Sequence, residues 1–256
     1  MPQTHEPRDA VMTEQQRLDG AVGIVTGAGR GIGAAIAREL SALGARLVLA
    51  DLVADGLEQV AADVVAAGGD AFPVVADVRQ YADTERLRDD CLARFGRIDF
   101  AVANAGVSDA STLADGDPER WRAVVETNVL GVAHTVRAVL PTMREQGDGH
   151  LVLIASVSGR EAYAGEPIYI ASKWAVVGLG SALRKETVGT GVRATLIEPG
   201  LVDTPLARSH PFASTWMETI DPLRDEYVAR AVAYVLTQPK HMAINELVLR
   251  PIAQAI

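Results

Sequence analysis

The chain has 256 residues, of which 48% are hydrophobic and 22% charged, with a formal net charge of −9 and one cysteine. Such an acidic balance excludes nucleic acid and anionic membrane surfaces as partners, because binding phosphates requires clustered lysine and arginine. Cys91 cannot form an internal disulfide, the first residues show no basic stretch leading into an apolar core, and apolar runs such as Ala21–Val25 fall short of the roughly 18–20 residues that cross a bilayer, so a cytoplasmic protein is expected.

Residues 1–17 are polar and without periodicity, and are expected to form a mobile tail ahead of one domain over residues 18–256. From there short apolar runs alternate with longer amphipathic stretches. In chain order these predict strand Ala21–Thr26, helix Gly31–Leu43, strand Arg46–Ala50, helix Asp55–Ala66, strand Ala71–Val75, helix Tyr81–Phe95 and strand Asp99–Ala103. Helix Pro118–Glu145, strand His150–Ala155, helix Pro167–Thr187, strand Val192–Ile197, helix Asp225–Leu236 and strand Glu246–Leu249 follow. Near-continuous apolar strands interleaved with helices predict an α/β fold, a doubly wound, Rossmann-type parallel sheet of about seven strands. The segment Val202–Arg224 lacks periodicity and is expected to be a lid over a site, since long loops in compact domains are usually functional.

The turn Thr26-Gly27-Ala28-Gly29-Arg30-Gly31-Ile32-Gly33 follows a predicted strand and opens a helix. Without side chains there, backbone N–H groups and the helix N-terminus can approach a pyrophosphate. Asp51 ends the second strand, where a carboxylate accepts hydrogen bonds from an adenosine ribose and repels a 2′-phosphate. NAD is therefore favoured over NADP, with Arg30 the one residue of the turn that would suit the phosphate. Asp77-Val78 and Asn104-Ala105-Gly106 follow the third and fourth strands, at the edge where open α/β sheets bind ligands.

Tyr169 and Lys173 stand four apart on a predicted helix and so project from one face. With five tyrosines and three lysines in 256 residues, about 0.06 such pairs arise by chance. Ser156 closes the fifth strand and can hold a substrate oxygen that the phenol also reaches. Work as a base near neutral pH asks for a phenol pKa about 3 units below its usual value, and an ammonium about 4 Å away is sufficient in magnitude to supply it.

Together these residues resemble the short-chain dehydrogenase/reductase family, with a match from Leu18 to Pro251 that adds Asn128 and Pro199-Gly200 with Val202 and Thr204. The resemblance implies hydride transfer between a nicotinamide cofactor and a secondary alcohol or ketone. Tyr169 would be the general acid/base and Ser156 the residue that orients the substrate oxygen. Lys173 would also hold the nicotinamide ribose, and Asn128 would anchor a water that joins Lys173 to a proton relay. Val202 and Thr204 would contact the carboxamide. The ending Asn245-Glu-Leu-Val-Leu-Arg250-Pro251 is similar to the branch containing serine and 3-hydroxy acid dehydrogenases. A homotetramer or homodimer built on the helices Pro118–Glu145 and Pro167–Thr187 is implied as well.

Ser158, Arg160 and Leu206 are expected beside the substrate together with Ser156 and Tyr169, and Phe212, Trp216, Met217 and His210 along the lid. Arg160 could bind a substrate carboxylate or form an ion pair. A serine hydrolase is excluded because Ile154 and Ser158 occupy the glycine positions of a G-x-S-x-G elbow, and no metal is expected from five histidines and one cysteine without ligand spacing. The alternative is a non-catalytic dinucleotide-binding regulator or scaffold on the same fold.

Overall fold

A computed structural model describes residues 17–211 and 213–255, so the expected tail, apart from Arg17, and Phe212 lie outside the described residues. The strands are β1 (Val22–Thr26), β2 (Arg46–Asp51), β3 (Asp70–Val75), β4 (Phe100–Ala103), β5 (Gly149–Ile154), β6 (Val192–Pro199) and β7 (Glu246–Leu249). They form one seven-stranded sheet in the order β3-β2-β1-β4-β5-β6-β7, with every pairing parallel. The order reverses between β1 and β4. This is the topological switch point of a doubly wound sheet, outside whose carboxyl ends ligands bind.

Period-two alternation in the strands feeds two apolar cores, one on each face. Val25, Leu47 and Leu49 point to a layer with α1 (Gly31–Ala42), α2 (Ala54–Ala66) and, further along the chain, the helix Asp225–Leu236. Ile24, Val48 and Ala50 point to the other, with α3 (Tyr81–Phe95) and the two long central helices.

The expected helix Pro118–Glu145 is in fact two: α4 (Pro118–Val125) and α5 (Gly131–Gln146), joined through a π-helical turn over Glu126–Leu130. Asp117 caps α4 by accepting from Glu119 N at 3.0 Å. Apolar positions continue on both sides of the turn, so the run reads as one helix in the sequence. The run Pro118–Gln146 is long and apolar enough by length and composition to cross a bilayer, but α5 packs against β4 and β5.

After β5 comes a 3₁₀ turn, Val157–Gly159, and then α6 (Pro167–Glu186), which opens on proline at its first position. The expected lid is not one irregular loop. It carries α7 (Pro205–Arg208) and α8 (Ala213–Thr219), and a bridge from Val202 to Leu223 ties its two ends before α9 (Asp225–Leu236).

Candidate active site

The glycine turn fills the switch point. Gly27 has φ +65°, and a Cβ there would stand 2.8 Å from Ala105 Cα; one on Gly33 would stand 2.0 Å from Gly27 O. Only glycine permits both the turn and this close approach of α1 to the strand. Helix α1 has no side-chain cap from Arg30 and no acidic residue in its first turn, so its positive end is open to an anion. Arg30 is exposed, and Ile32 packs against the core.

Two predicted cofactor residues hold neighbouring turns together. Thr26 Oγ1 accepts from Asn104 N (3.1 Å) and Ala105 N (3.2 Å), while Asn104 Nδ2 donates to Thr26 O (2.9 Å) and Gly27 O (3.1 Å). The turns after β1 and β4 thus form one rigid unit. Asp51 Oδ2 accepts from Gly29 N at 2.9 Å and Oδ1 from Val53 N at 3.1 Å, which fixes the carboxylate beside the glycine turn. The Asp77 carboxylate is held below its usual range chiefly by its hydrogen bond from Arg79, and the Val78 carbonyl accepts from His134 Nδ1 at 2.9 Å.

On the other side, Gly200 N donates to Leu249 O (2.8 Å) and Leu201 N to Gln254 Oε1 (2.7 Å), so the residues after β7 position the Pro199-Gly200 turn. Val202 is buried, and Thr204 caps α7 by accepting from Ala207 N at 3.2 Å. The segment after β6 comes against the glycine turn, since a Cβ on Gly31 would meet Thr204 Cβ at 3.5 Å.

Helix α6 places Tyr169 and Lys173 on one face, with Lys173 Nζ 5.7 Å from the centre of the tyrosine ring. Lys173 is buried and donates to Ile154 O at 3.1 Å; burial pulls its ammonium down to about 8. The Ser156 hydroxyl stands near enough to act on the Tyr169 phenol and itself accepts from Ser158 N at 3.1 Å. The expected lowering of the phenol by Lys173 is not found. Burial, reinforced by the negative charge of Glu166, pushes Tyr169 above its usual value, and only the bond with Ser156 works the other way. The ammonium is turned to the end of β5 and is itself weakened by burial, so it does not offset the desolvation of the phenol.

Asn128, buried in the π turn, accepts at Oδ1 from Val107 N (2.9 Å) and donates from Nδ2 to Val107 O (2.9 Å) and Ser172 Oγ (3.0 Å). Ser172 in turn donates to Tyr169 O at 2.6 Å. The carboxamide therefore links the loop after β4 to the turn of α6 that bears Tyr169.

On the substrate side Ser158 Oγ lies 2.8 Å from Tyr163 Oη, and Leu206 is part exposed on α7. Of the two alternatives for Arg160, the structure shows the ion pair. Its guanidinium grips the fully buried Glu198 in a two-point pair (2.6 and 2.7 Å) and reaches Glu246 at 2.6 Å, so it is committed to β6 and β7 and not to a substrate carboxylate. Ser108, Tyr163 and Glu166 lie in segments expected along the pocket, after Gly106 and over Ser158–Glu166, but the sequence marks no individual role for them, and Gln254 carries no signal at all. Glu166 precedes Tyr169 by three residues, where Lys173 follows it by four, but acidic residues are too common in this chain for spacing alone to single it out.

Sequence and structure comparisons agree with this geometry. A short chain dehydrogenase family profile matches residues 21–212. An uncharacterized oxidoreductase of Staphylococcus haemolyticus is 38% identical over 242 residues, covering 94% of this chain and all of the relative. An alcohol dehydrogenase from the archaeon Thermococcus sibiricus, solved with 5-hydroxy-NADP, superposes with a TM-score of 0.84 at 32% identity, over 92% of this chain and 98% of that one. A short chain dehydrogenase/reductase from Burkholderia phymatum, solved with NAD, gives 0.83 at 30% identity, over 91% and 89%. The switch-point glycine turn, the Ser156, Tyr169 and Lys173 arrangement and these matches establish that the chain belongs to the short-chain dehydrogenase/reductase family of oxidoreductases.

Proposed function

We propose that the protein interconverts secondary alcohols and ketones with a nicotinamide cofactor, NAD in preference to NADP, and that Tyr169 carries the proton. The observation that supports this most directly is Lys173 Nζ 5.7 Å from the Tyr169 ring on one face of α6, with the Ser156 hydroxyl beside the phenol at the end of β5. The glycine turn, the open end of α1, Asp51 and the Asp77-Val78, Asn104–Gly106 and Pro199–Thr204 segments are the residues that would hold the dinucleotide. Once bound, the cofactor supplies the hydride acceptor or donor at its nicotinamide ring.

The chain's own contribution is orientation and proton transfer. Ser156 holds the substrate oxygen, and Tyr169 gives a proton to that oxygen in reduction or takes it in oxidation. A phenol raised by burial is fully protonated at neutral pH, which readies it as the donor. Lys173, turned toward the end of β5, would hold the nicotinamide ribose. Exposed Val125, Leu130 and Trp174 on the α4–α5 run and α6 support association through these helices into a dimer or tetramer.

The reading is tested with a panel of secondary alcohols and ketones, both cofactors and the Tyr169→Phe variant. The variant is expected to lose at least about a hundredfold in kcat while still binding cofactor. Undiminished turnover would sink the assignment, and cofactor binding without turnover in the unaltered protein would favour a regulator.

A further inference from the structure

The geometry points to Glu166 as the residue that sets the substrate class: the site takes neutral or cationic alcohols and ketones and rejects those carrying a carboxylate near the reacting carbon. This rests on the dehydrogenase reading and narrows it. The Glu166 side chain is only 6% exposed. Its carboxylate joins three segments that converge on Tyr169. Ser108, from the loop after β4, donates to Oε2 at 2.8 Å; Tyr163, from the loop after β5, donates to Oε1 at 2.7 Å and links on to Ser158; and His210, from the lid, brings Nε2 to 3.9 Å from Oε1.

These contacts solvate the carboxylate without cancelling its charge. Serine and tyrosine hydroxyls are neutral donors, and burial lowers His210 against the pull of Glu166, which favours a neutral ring at pH 7. The cations on the flanking segments already have acidic partners: Arg160 has Glu198 and Glu246, Arg120 has Asp109, and Arg208 has Asp203. Among the described residues no guanidinium or ammonium forms an ion pair with Glu166. The negative charge also acts on the phenol itself, raising Tyr169 together with burial, and the same charge acts on whatever Tyr169 protonates. A second anion there would meet repulsion, worth about tenfold or more in kcat/KM.

The test uses a matched series of secondary alcohols with one carbon skeleton, ending in a primary hydroxyl, an ammonium or a carboxylate. Unaltered enzyme is expected to turn over the first two at least about tenfold better than the third. Glu166→Gln, which keeps the shape and one acceptor oxygen while removing the charge, is expected to erase most of that gap, whereas Tyr163→Phe, which keeps the charge, is expected to preserve it. Independently of any variant, an inert carboxylate is expected to bind the cofactor-loaded enzyme at least about tenfold more weakly than the matching amide. Equal binding, a preference for the carboxylate, or an unchanged gap in Glu166→Gln overturns this inference and leaves the dehydrogenase reading standing. Absence of turnover with every alcohol and ketone takes down both.

Discussion

Burial, more than the nearest opposite charge, governs the side chains that carry the chemistry. Tyr169 is raised and Lys173 lowered by the same removal from water, so the pair as it stands in the folded chain is a neutral donor beside a weakened cation. Arginine, which stays protonated even when buried, would resist such tuning, which is a physical reason for lysine in a chain that otherwise uses arginine. Asp51 works at this scale too. Its carboxylate is fixed by Gly29 N and Val53 N, and on the proposed reading its charge would oppose a 2′-phosphate. Asp51→Ala is expected to improve kcat/KM with NADPH relative to NADH by about tenfold to a hundredfold, measured by parallel assays with the two cofactors. An unchanged ratio would show that Asp51 does not face the ribose.

At the scale of elements, contacts between strands decided what spacing left open. Arg160 stands in the loop after β5, yet its partners Glu198 and Glu246 come from β6 and β7. Glu198 is fully buried, and loss of its cation would leave an uncompensated charge inside the protein. Arg160→Met is expected to lower unfolding free energy by about 3–5 kcal/mol at neutral pH, read from urea midpoints. A loss below about 1 kcal/mol would mean that the pair is no more than a surface ion pair. The π turn in the long central helix is another product of packing. Asn128 is held by Val107 and Ser172, and a Cβ on Gly131 would meet Val78 Cγ2 at 2.6 Å, so the helix deforms where two loops and α6 press on it.

For the molecule as a whole, the two edges of the sheet have opposite duties: the carboxyl edge gathers the site, and the amino edge carries stability. His150 begins that edge on β5. Thr195 Oγ1 gives its one proton to Ile244 O, so His150 donates from Nε2 (2.8 Å), and burial with the nearby Arg193 charge lowers the imidazole to about 3. Below pH 6.5 the unfolded chain takes up a proton here that the folded chain refuses, so stability rises with pH between about 3 and 6.5 and falls on acidification. The expected contribution is about 1.4 kcal/mol per pH unit across that window. His150→Gln should flatten the slope of urea stability against pH by that amount; an identical slope would show that His150 does not set acid tolerance.

What the sequence determined by itself was everything that repeats or is rare. Alternating strand and helix periodicity gave all seven strands within a residue or two, and the glycine turn, Ser156, Tyr169 and Lys173 were legible because local backbone geometry and a four-residue helical spacing need no knowledge of the rest of the chain. Tertiary structure decided the partners. Arg160 became a buried ion pair, Asn128 a clasp between a loop and α6, Glu166 a charge facing Tyr169, and Gln254 a prop beneath Gly200, each through a neighbour far away in sequence or through burial. Hydrogen bonds and desolvation depend on what surrounds a group in three dimensions, and a chain read one residue at a time carries the group without its surroundings.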